Sequence, residues 1–256
     1  MKRFFAYIGI FCVLGFLAAC SARKDNKPLV VTDSTAIDLE PKMEGDSMIY
    51  ALACDGCTDS VLVILPYSGG NPDTLDIIDA KRSLRVFGRP KIGARLAVMV
   101  NPEDSAEATF VVNLDELKGA WCYKVKPKFR DMEKMPPRVK KRMIESIPDS
   151  VRDSMLVEKE MGFQIKRNYV VQPIGMEHAA TTDEQSPLEY PEQKIYSEWR
   201  LFNGKLLLSR NIMQPVENTD SVAPAIDTDT VRILMLMPDS LVLLFPEGPK
   251  GYYRRK

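Results

Sequence analysis

The sequence has a single histidine and only five cysteines, and this scarcity excludes several kinds of active site. His178 lies in a polar stretch and is expected to be solvated, and one histidine excludes both the H-E-x-x-H motif and a two-histidine metal centre. There is also no G-x-S-x-G, P-loop or G-x-G-x-x-G motif. We therefore expect no catalytic residue, no cofactor and no bound metal, and a protein that is not an enzyme.

An excess of charge is also missing, because the 35 basic and 35 acidic residues cancel. A balanced chain gives no electrostatic basis for binding nucleic acid, and the basic end Arg254–Lys256 is too short to change this. Hydrophobic residues make up 45% of the chain, which argues against disorder. The composition predicts a folded protein that does not bind nucleic acid.

The N-terminal apolar run from Phe4 to Ala19 is shorter than the ~20 residues that cross a bilayer as a helix. Two basic residues precede it, and small residues and Cys20 end it, as in a signal peptide with a cleavage site. This pattern resembles a bacterial lipoprotein signal, which implies removal of residues 1–19 and acylation of Cys20. Because Ser21 and not Asp follows the cysteine, we expect a lipid anchor in the outer membrane, with the domain facing the periplasm or the cell surface.

Short strands separated by turn signals dominate the rest of the chain. They predict a mainly β protein with one or two small antiparallel barrels, lipocalin-like or OB-like, and an inserted helical hairpin. The predicted segments are a signal peptide (1–19), a lipidated flexible tether (20–46), a first β segment, OB-like or a half-barrel (47–130), a helical insert (131–162) and a second β segment, a lipocalin-like antiparallel meander (163–256).

In the first β segment, a period-two pattern places alternate residues from Ile92 to Val100 on one face of a strand. A last strand after Gly119 has Trp121, Tyr123 and Val125 on one side. Both patterns predict strands with one apolar face.

The helical insert is predicted from apolar residues at helical spacing. Pro137 suits a helix start, and a second apolar stripe through Met155 is predicted to end at Gly162. This pattern indicates two helices that pack on the outside of a barrel.

In the second β segment, Asn203-Gly204 between two apolar runs predicts a hairpin with a type I′ turn. Further strands are expected at 231–237, 241–245 and 251–253, giving a meander of about five strands. The polar stretches 177–193 and 214–229 are predicted to be mobile loops.

Cys54 and Cys57 form a C-x-x-C motif, the spacing of thiol redox and metal sites. A polar tripeptide and a β-rich run follow the motif, in place of the helix whose dipole would stabilise a thiolate. We favour a structural disulfide between Cys54 and Cys57, because an exported chain meets oxidising conditions. The alternatives are catalytic redox chemistry, a metal site completed by Cys122 or His178, free thiols, and a disulfide between one of the two cysteines and Cys122.

The methionines and paired acids have ordinary explanations. Methionine suits Cu(I) but also fills gaps in cores, and acids are common on surfaces. We expect the methionines to make core or partner contacts; they are Met132, Met135, Met143, Met155 and Met161. We expect the paired acids to be solvated; they are Asp76, Asp79, Asp115 and Glu116.

Cys20, the polar tether and the C-x-x-C motif leading into a strand together resemble envelope lipoproteins of the NlpE type. The resemblance implies lipid-anchored lipocalin-like and OB-like barrels, a C-x-x-C in the first barrel, and a link to envelope stress and copper. A second C-x-x-C is absent. The hairpins at 196–208 and 241–253 also resemble lipocalin-like lipoproteins of no assigned role.

These observations predict a non-catalytic binding or interaction module held at the membrane by its N-terminal lipid. Its partner would be a small apolar ligand or an envelope protein. The first alternative is an envelope-stress sensor that uses Cys54 and Cys57 for thiol redox or copper. The second is a hydrolase with a carboxylate site.

Overall fold

The structure is a computed structural model that describes residues 42–129, 135–149, 157–175, 188–191, 193–215 and 222–256. These residues belong to one compact unit that is built mainly from antiparallel sheets. The mainly β prediction is therefore confirmed. The strands are β1 (Ile49–Ala53), β2 (Val61–Pro66), β3 (Asp73–Asp76), β4 (Val86–Phe87), β5 (Arg95–Val100), β6 (Ala108–Asn113), β7 (Gly119–Val125), β8 (Lys128–Phe129), β9 (Lys159–Ile165), β10 (Val171–Ile174), β11 (Leu188–Glu189), β12 (Glu198–Phe202), β13 (Lys205–Pro215), β14 (Val222–Leu236), β15 (Ser240–Phe245) and β16 (Gly248–Arg254).

The first sheet has six strands in the order β3-β2-β1-β5-β6-β4, and its strands β5 and β6 have buried residues on both faces. Leu96 and Val98 face one apolar cluster, while Ala97 faces the larger cluster that continues into the second sheet. The prediction of a strand with an apolar face is wrong for Ile92, because this residue precedes β5 and is 71% exposed. A strand buried on both faces has no strict alternation, so the period-two pattern missed Ala97, which is also fully buried.

The second sheet has eight strands in the order β10-β9-β7-β16-β15-β14-β13-β12. The two end strands approach each other, because Val170 bridges Glu198 and the amide of Trp199 donates to the carbonyl of Tyr169 at 2.8 Å. The sheet is therefore a nearly closed barrel. Around it the strands follow chain order from β7 through β9, β10 and β12 to β16, and β7 pairs with β16. The remaining strands, β8 and β11, form a separate pair.

The meander of five strands, β12 to β16, was predicted correctly. Its first turn has positive φ at both Asn203 (47°) and Gly204 (73°), as a type I′ turn requires. Asp46, at the start of the described chain, accepts a hydrogen bond from the amide of Asn203 at 3.1 Å. Tyr50 on β1 donates to the carbonyl of Leu201 at 3.3 Å, so the first sheet is attached to this hairpin.

Among its described residues the structure contains three helices: α1 (Ile78–Arg82) has five residues, α2 (Leu114–Leu117) has four and α3 (Pro137–Ser146) has ten. Pro137 begins α3, as predicted. The prediction of a second helix ending at Gly162 is wrong from Val157 onward, because Val157 and Glu158 are irregular and β9 begins at Lys159. The preceding residues, 150–156, lie outside the described residues.

Glycine at position 162 permits the close pairing of β9 with β7. A Cβ atom there would lie 2.0 Å from the carbonyl oxygen of Trp121. Gly162 therefore marks a close approach of two strands and not a helix end.

Two other expectations on organisation differ from the structure. β7 falls within the predicted first β segment but belongs to the eight-stranded sheet. The prediction of a mobile loop at 214–229 is wrong for the described residues of that stretch. Gln214 and Pro215 end β13 and pair with β14, which begins at Val222. Most of the other predicted loop, 177–193, lies outside the described residues.

Candidate functional site

A cleft of about 430 Å³ lies at the end of the barrel where β15 turns into β16. This volume falls within the range of small-molecule sites. Eight-stranded barrels are just wide enough to hold either side chains or one small ligand. The cleft is lined by Tyr123, Gly162, Phe163, Gln193, Lys194, Tyr196, Phe245, Glu247, Gly248, Pro249, Lys250 and Tyr252.

Aromatic rings form the apolar part of this lining. The ring of Tyr252 lies 5.0 Å from Phe163 and 5.5 Å from Tyr123, both in edge-to-face geometry, and Phe163 lies 6.5 Å from Tyr196. Burial raises the pKa of Tyr123 to about 12 and that of Tyr252 further. Both phenols are therefore neutral at physiological pH, so the rings present an uncharged aromatic surface.

Lys194 is held by two carboxylates at the edge of the cleft. Its ammonium lies 2.8 Å from Asp229 and 2.9 Å from Glu247. Tyr196 donates a hydrogen bond of 2.5 Å to Asp229. The hydrogen bonds to Asp229 and Glu247 raise the pKa of Lys194, so it stays protonated and its charge is compensated.

Lys250 is the second cation of the cleft and has a different environment. Its Nζ lies 3.9 Å from the centroid of the Tyr123 ring and 5.8 Å from that of Tyr252. Burial lowers the pKa of this ammonium. Among the described residues, no carboxylate lies within ion-pair distance of it.

The other end of β16 is closed. Arg254 stacks on Trp121, with its guanidinium carbon 4.2 Å from the ring, and donates to the carbonyls of Pro238 (2.5 Å), Lys118 (2.7 Å) and Glu116. The indole of Trp121 donates to the carbonyl of Leu117 on α2 at 2.8 Å. A fully buried Trp and an arginine bound to backbone carbonyls fill this end of the barrel.

The disulfide predicted between Cys54 and Cys57 is not found in the structure, where both residues are free thiols. The sulfur of Cys57 lies 3.3 Å from the carbonyl of Cys54 and accepts a hydrogen bond from the amide of Val63 at 3.4 Å. The thiol therefore joins the hydrogen bonds of the turn before β2. Neither cysteine lines the cleft.

Cys122 is buried on the strand face opposite Trp121 and is also a free thiol. Burial raises the pKa of this thiol. Within the described part of the chain, no three His, Cys, Asp or Glu side chains are grouped so that they could hold a metal. His178, Met132 and Met155 lie outside it, as does the acylation candidate Cys20.

The acids singled out in the sequence are engaged locally and do not line the cleft. Asp115 pairs with Arg95 at 3.0 Å, and Glu116 accepts the amide of Arg89 at 3.2 Å. Asp76 accepts the amide of Ile78 at 2.7 Å, and Asp79 pairs with Arg82 at 3.3 Å. Of the methionines, Met161 is buried and Met135 and Met143 are half-buried.

Sequence reasoning missed the residues that make the cleft. The strand at Gly251-Tyr252-Tyr253 was predicted, and extending its period of two backwards places Lys250 on the same face as Tyr252. The sequence therefore contained a signal that Lys250 and Tyr252 share a face. No comparable signal connects Lys194 to Asp229, because this pair forms only when the barrel folds.

Among the described residues, no helix is both long and apolar enough to cross a membrane. Comparisons with protein-family models, with curated proteins and with solved structures found no match for this chain.

Proposed function

We propose that the protein is a non-catalytic binding module of the cell envelope, anchored to the outer membrane by acylation of Cys20, that takes a small ligand into the cleft of its eight-stranded barrel. The observation that carries the proposal is the aromatic-lined cleft at one end of a barrel whose other end is filled by Trp121 and Arg254.

The lining favours binding over catalysis. Tyr196 and Lys194 are both bound to Asp229, so the polar groups of this edge are already paired with one another. Much of the remaining lining consists of the rings of Tyr123, Phe163, Phe245 and Tyr252, and rings give a ligand a large contact area at a small cost in side-chain entropy. The lipocalin-like expectation from the sequence agrees with such a site at the mouth of a barrel.

The anchor supports the same role. Each buried CH₂ of an acyl chain contributes ~0.8 kcal/mol, so several chains on one cysteine hold a protein at the membrane almost permanently. Such a lipid anchor suits a protein that binds its ligand while it stays at the membrane. Labelling cells with radioactive palmitate is expected to mark the full-length chain, and Cys20→Ser is expected to lose both the label and membrane association.

Binding is tested by equilibrium dialysis of the full-length chain, in non-ionic detergent micelles, against the neutral aromatic probe 2-naphthamide. Protein-free micelles give the background. We expect binding that Gln193→Trp weakens at least about fivefold by filling the cleft, while Gln172→Trp, on exposed β10, leaves it unchanged. Equal binding by both variants would place the probe elsewhere and contradict the proposed site.

A further inference from the structure

We infer that the cleft selects an organic anion, with its acid group bound by Lys250 and its flat apolar body packed on the surrounding rings. The inference rests on the proposed function, because it names the ligand class of the same cleft.

The register of β15 and β16 shows that Lys250 points into the barrel. Lys250 lies opposite Leu243, and Tyr252 lies opposite Leu241. Both leucines are fully buried in the main core, and Tyr252 is 6% exposed. Alternate residues of a strand share a face, so Lys250 faces the interior like Tyr252. The other inward positions of this strand pair, at Leu241, Leu243 and Tyr252, hold apolar or aromatic side chains.

An inward lysine normally needs a carboxylate, and in the described part of the chain this one has none within ion-pair distance. Its ammonium has three donors, and its contacts there are the faces of Tyr123 and Tyr252. A ring face attracts a cation but offers no lone pair in the geometry of a hydrogen bond. The donors are thus left for a group that enters the cleft.

Lys194 shows what a compensated lysine looks like in the same cleft. Two carboxylates, Asp229 and Glu247, lie within 2.9 Å of its ammonium. The Glu247 carboxylate is thereby used by Lys194 and lies outside ion-pair distance of Lys250. Among the described residues, the cleft therefore has one cation in ion pairs, Lys194, and one, Lys250, that the Glu247 carboxylate attracts only from beyond ion-pair distance.

The rest of the lining defines the body of the ligand. The rings of Tyr123 and Tyr252 lie beside Lys250, and those of Phe163 and Phe245 line the same cleft. Edge-to-face clusters of this kind bind planar or apolar groups, and about 430 Å³ accommodates one or two fused rings or a chain of similar bulk. An acid with such a body satisfies the ammonium and the rings together, whereas a cationic ligand would be repelled by Lys250.

The test compares 2-naphthoate with 2-naphthamide, which have the same ring system but differ in charge. Equilibrium dialysis uses the full-length chain in non-ionic micelles with protein-free blanks. We expect the wild-type chain to bind 2-naphthoate at least about tenfold more tightly than 2-naphthamide, the ratio that corresponds to one charge-assisted hydrogen bond. Lys250→Gln is expected to remove this preference by weakening naphthoate binding alone.

Two further variants separate charge from folding. Lys250→Arg keeps a cation and is expected to retain the preference for the anion, while Lys205→Gln removes an exposed lysine of β13 and is expected to change neither affinity. Equal affinity of the wild-type chain for both probes, or an equal loss of both in Lys250→Gln, would overturn the inference but leave the binding cleft standing. Failure of the wild-type chain to bind either probe would overturn the proposed function itself.

Discussion

Two partly buried lysines show how position decides what the same side chain does. Lys250 enters the cleft and contacts rings, whereas Lys118 follows α2 and shares Asp115 with Arg95. The ammonium of Lys118 lies 3.7 Å from Asp115, and only 17% of its side chain is exposed. Burial, helped by the positive charges of Arg95 and Arg167, lowers the pKa of Lys118 to about 8.

The lowered pKa predicts a pH-dependent contribution of Lys118 to stability. The unfolded chain holds this proton up to a pKa of ~10.4, so between pH 8 and about 10.4 it binds more protons than the folded chain. The free energy of unfolding should rise with pH in that window and fall as pH drops through 8. Relative to Lys118→Met, the wild-type chain should gain on the order of 1–3 kcal/mol between pH 7.5 and 10.

Urea denaturation at a series of pH values measures this difference. Lys205→Met, which removes an exposed lysine, is the matched control and should follow the wild-type curve. A constant difference between Lys118→Met and the wild-type chain across the window would show that Lys118 has an ordinary pKa.

At this scale the motifs of the sequence point to residues that lie outside the cleft. Its motifs drew attention to Cys54 and Cys57, because cysteine spacing is easily read, but the structure shows them as free thiols in a turn outside the cleft. Lys250 and Tyr252 carry no motif. Their position in the cleft depends on which face of β16 is internal, and that face is determined by the tertiary structure.

Single elements show where pattern reasoning succeeds and where it fails. The Asn203-Gly204 hairpin was predicted because a type I′ turn needs two residues that tolerate positive φ, which is a local requirement. Gly162 was interpreted as a helix end, but its role depends on the neighbouring strand β7. A local pattern cannot distinguish a glycine that ends a helix from one that admits another backbone.

Gly162→Ala is expected to destabilise the protein by more than about 2 kcal/mol, because its Cβ would overlap the carbonyl oxygen of Trp121 and force β7 and β9 apart. Gly251→Ala in β16 is the matched control. No heavy atom lies within 4 Å of a Cβ at that position, so the change should stay within ~0.5 kcal/mol. Urea denaturation gives both free energies of unfolding, and similar values for the two variants would refute the close approach.

At the scale of the whole molecule, the chain contains a six-stranded sheet joined to a nearly closed eight-stranded barrel. The sequence predicted the class and the last five strands, since these are consecutive hairpins. It did not predict that β7 would cross into the barrel and pair with β16. That pairing joins residues about half the chain apart, links β7, β9 and β10 to the C-terminal meander, and brings Tyr123 to Lys250.

The central claim is that the cleft between these distant strands is a binding site, and a titration of 2-naphthoate followed by NMR tests it most directly. The full-length chain, with ¹³C-labelled tyrosine rings, would be studied in non-ionic micelles. We predict saturable shifts of the ring signals of Tyr123, Tyr196 and Tyr252, which line the cleft, and constant signals for Tyr50 and Tyr67, which do not. Shifts at Tyr50 or Tyr67 with unchanged signals from the three cleft tyrosines would contradict the account.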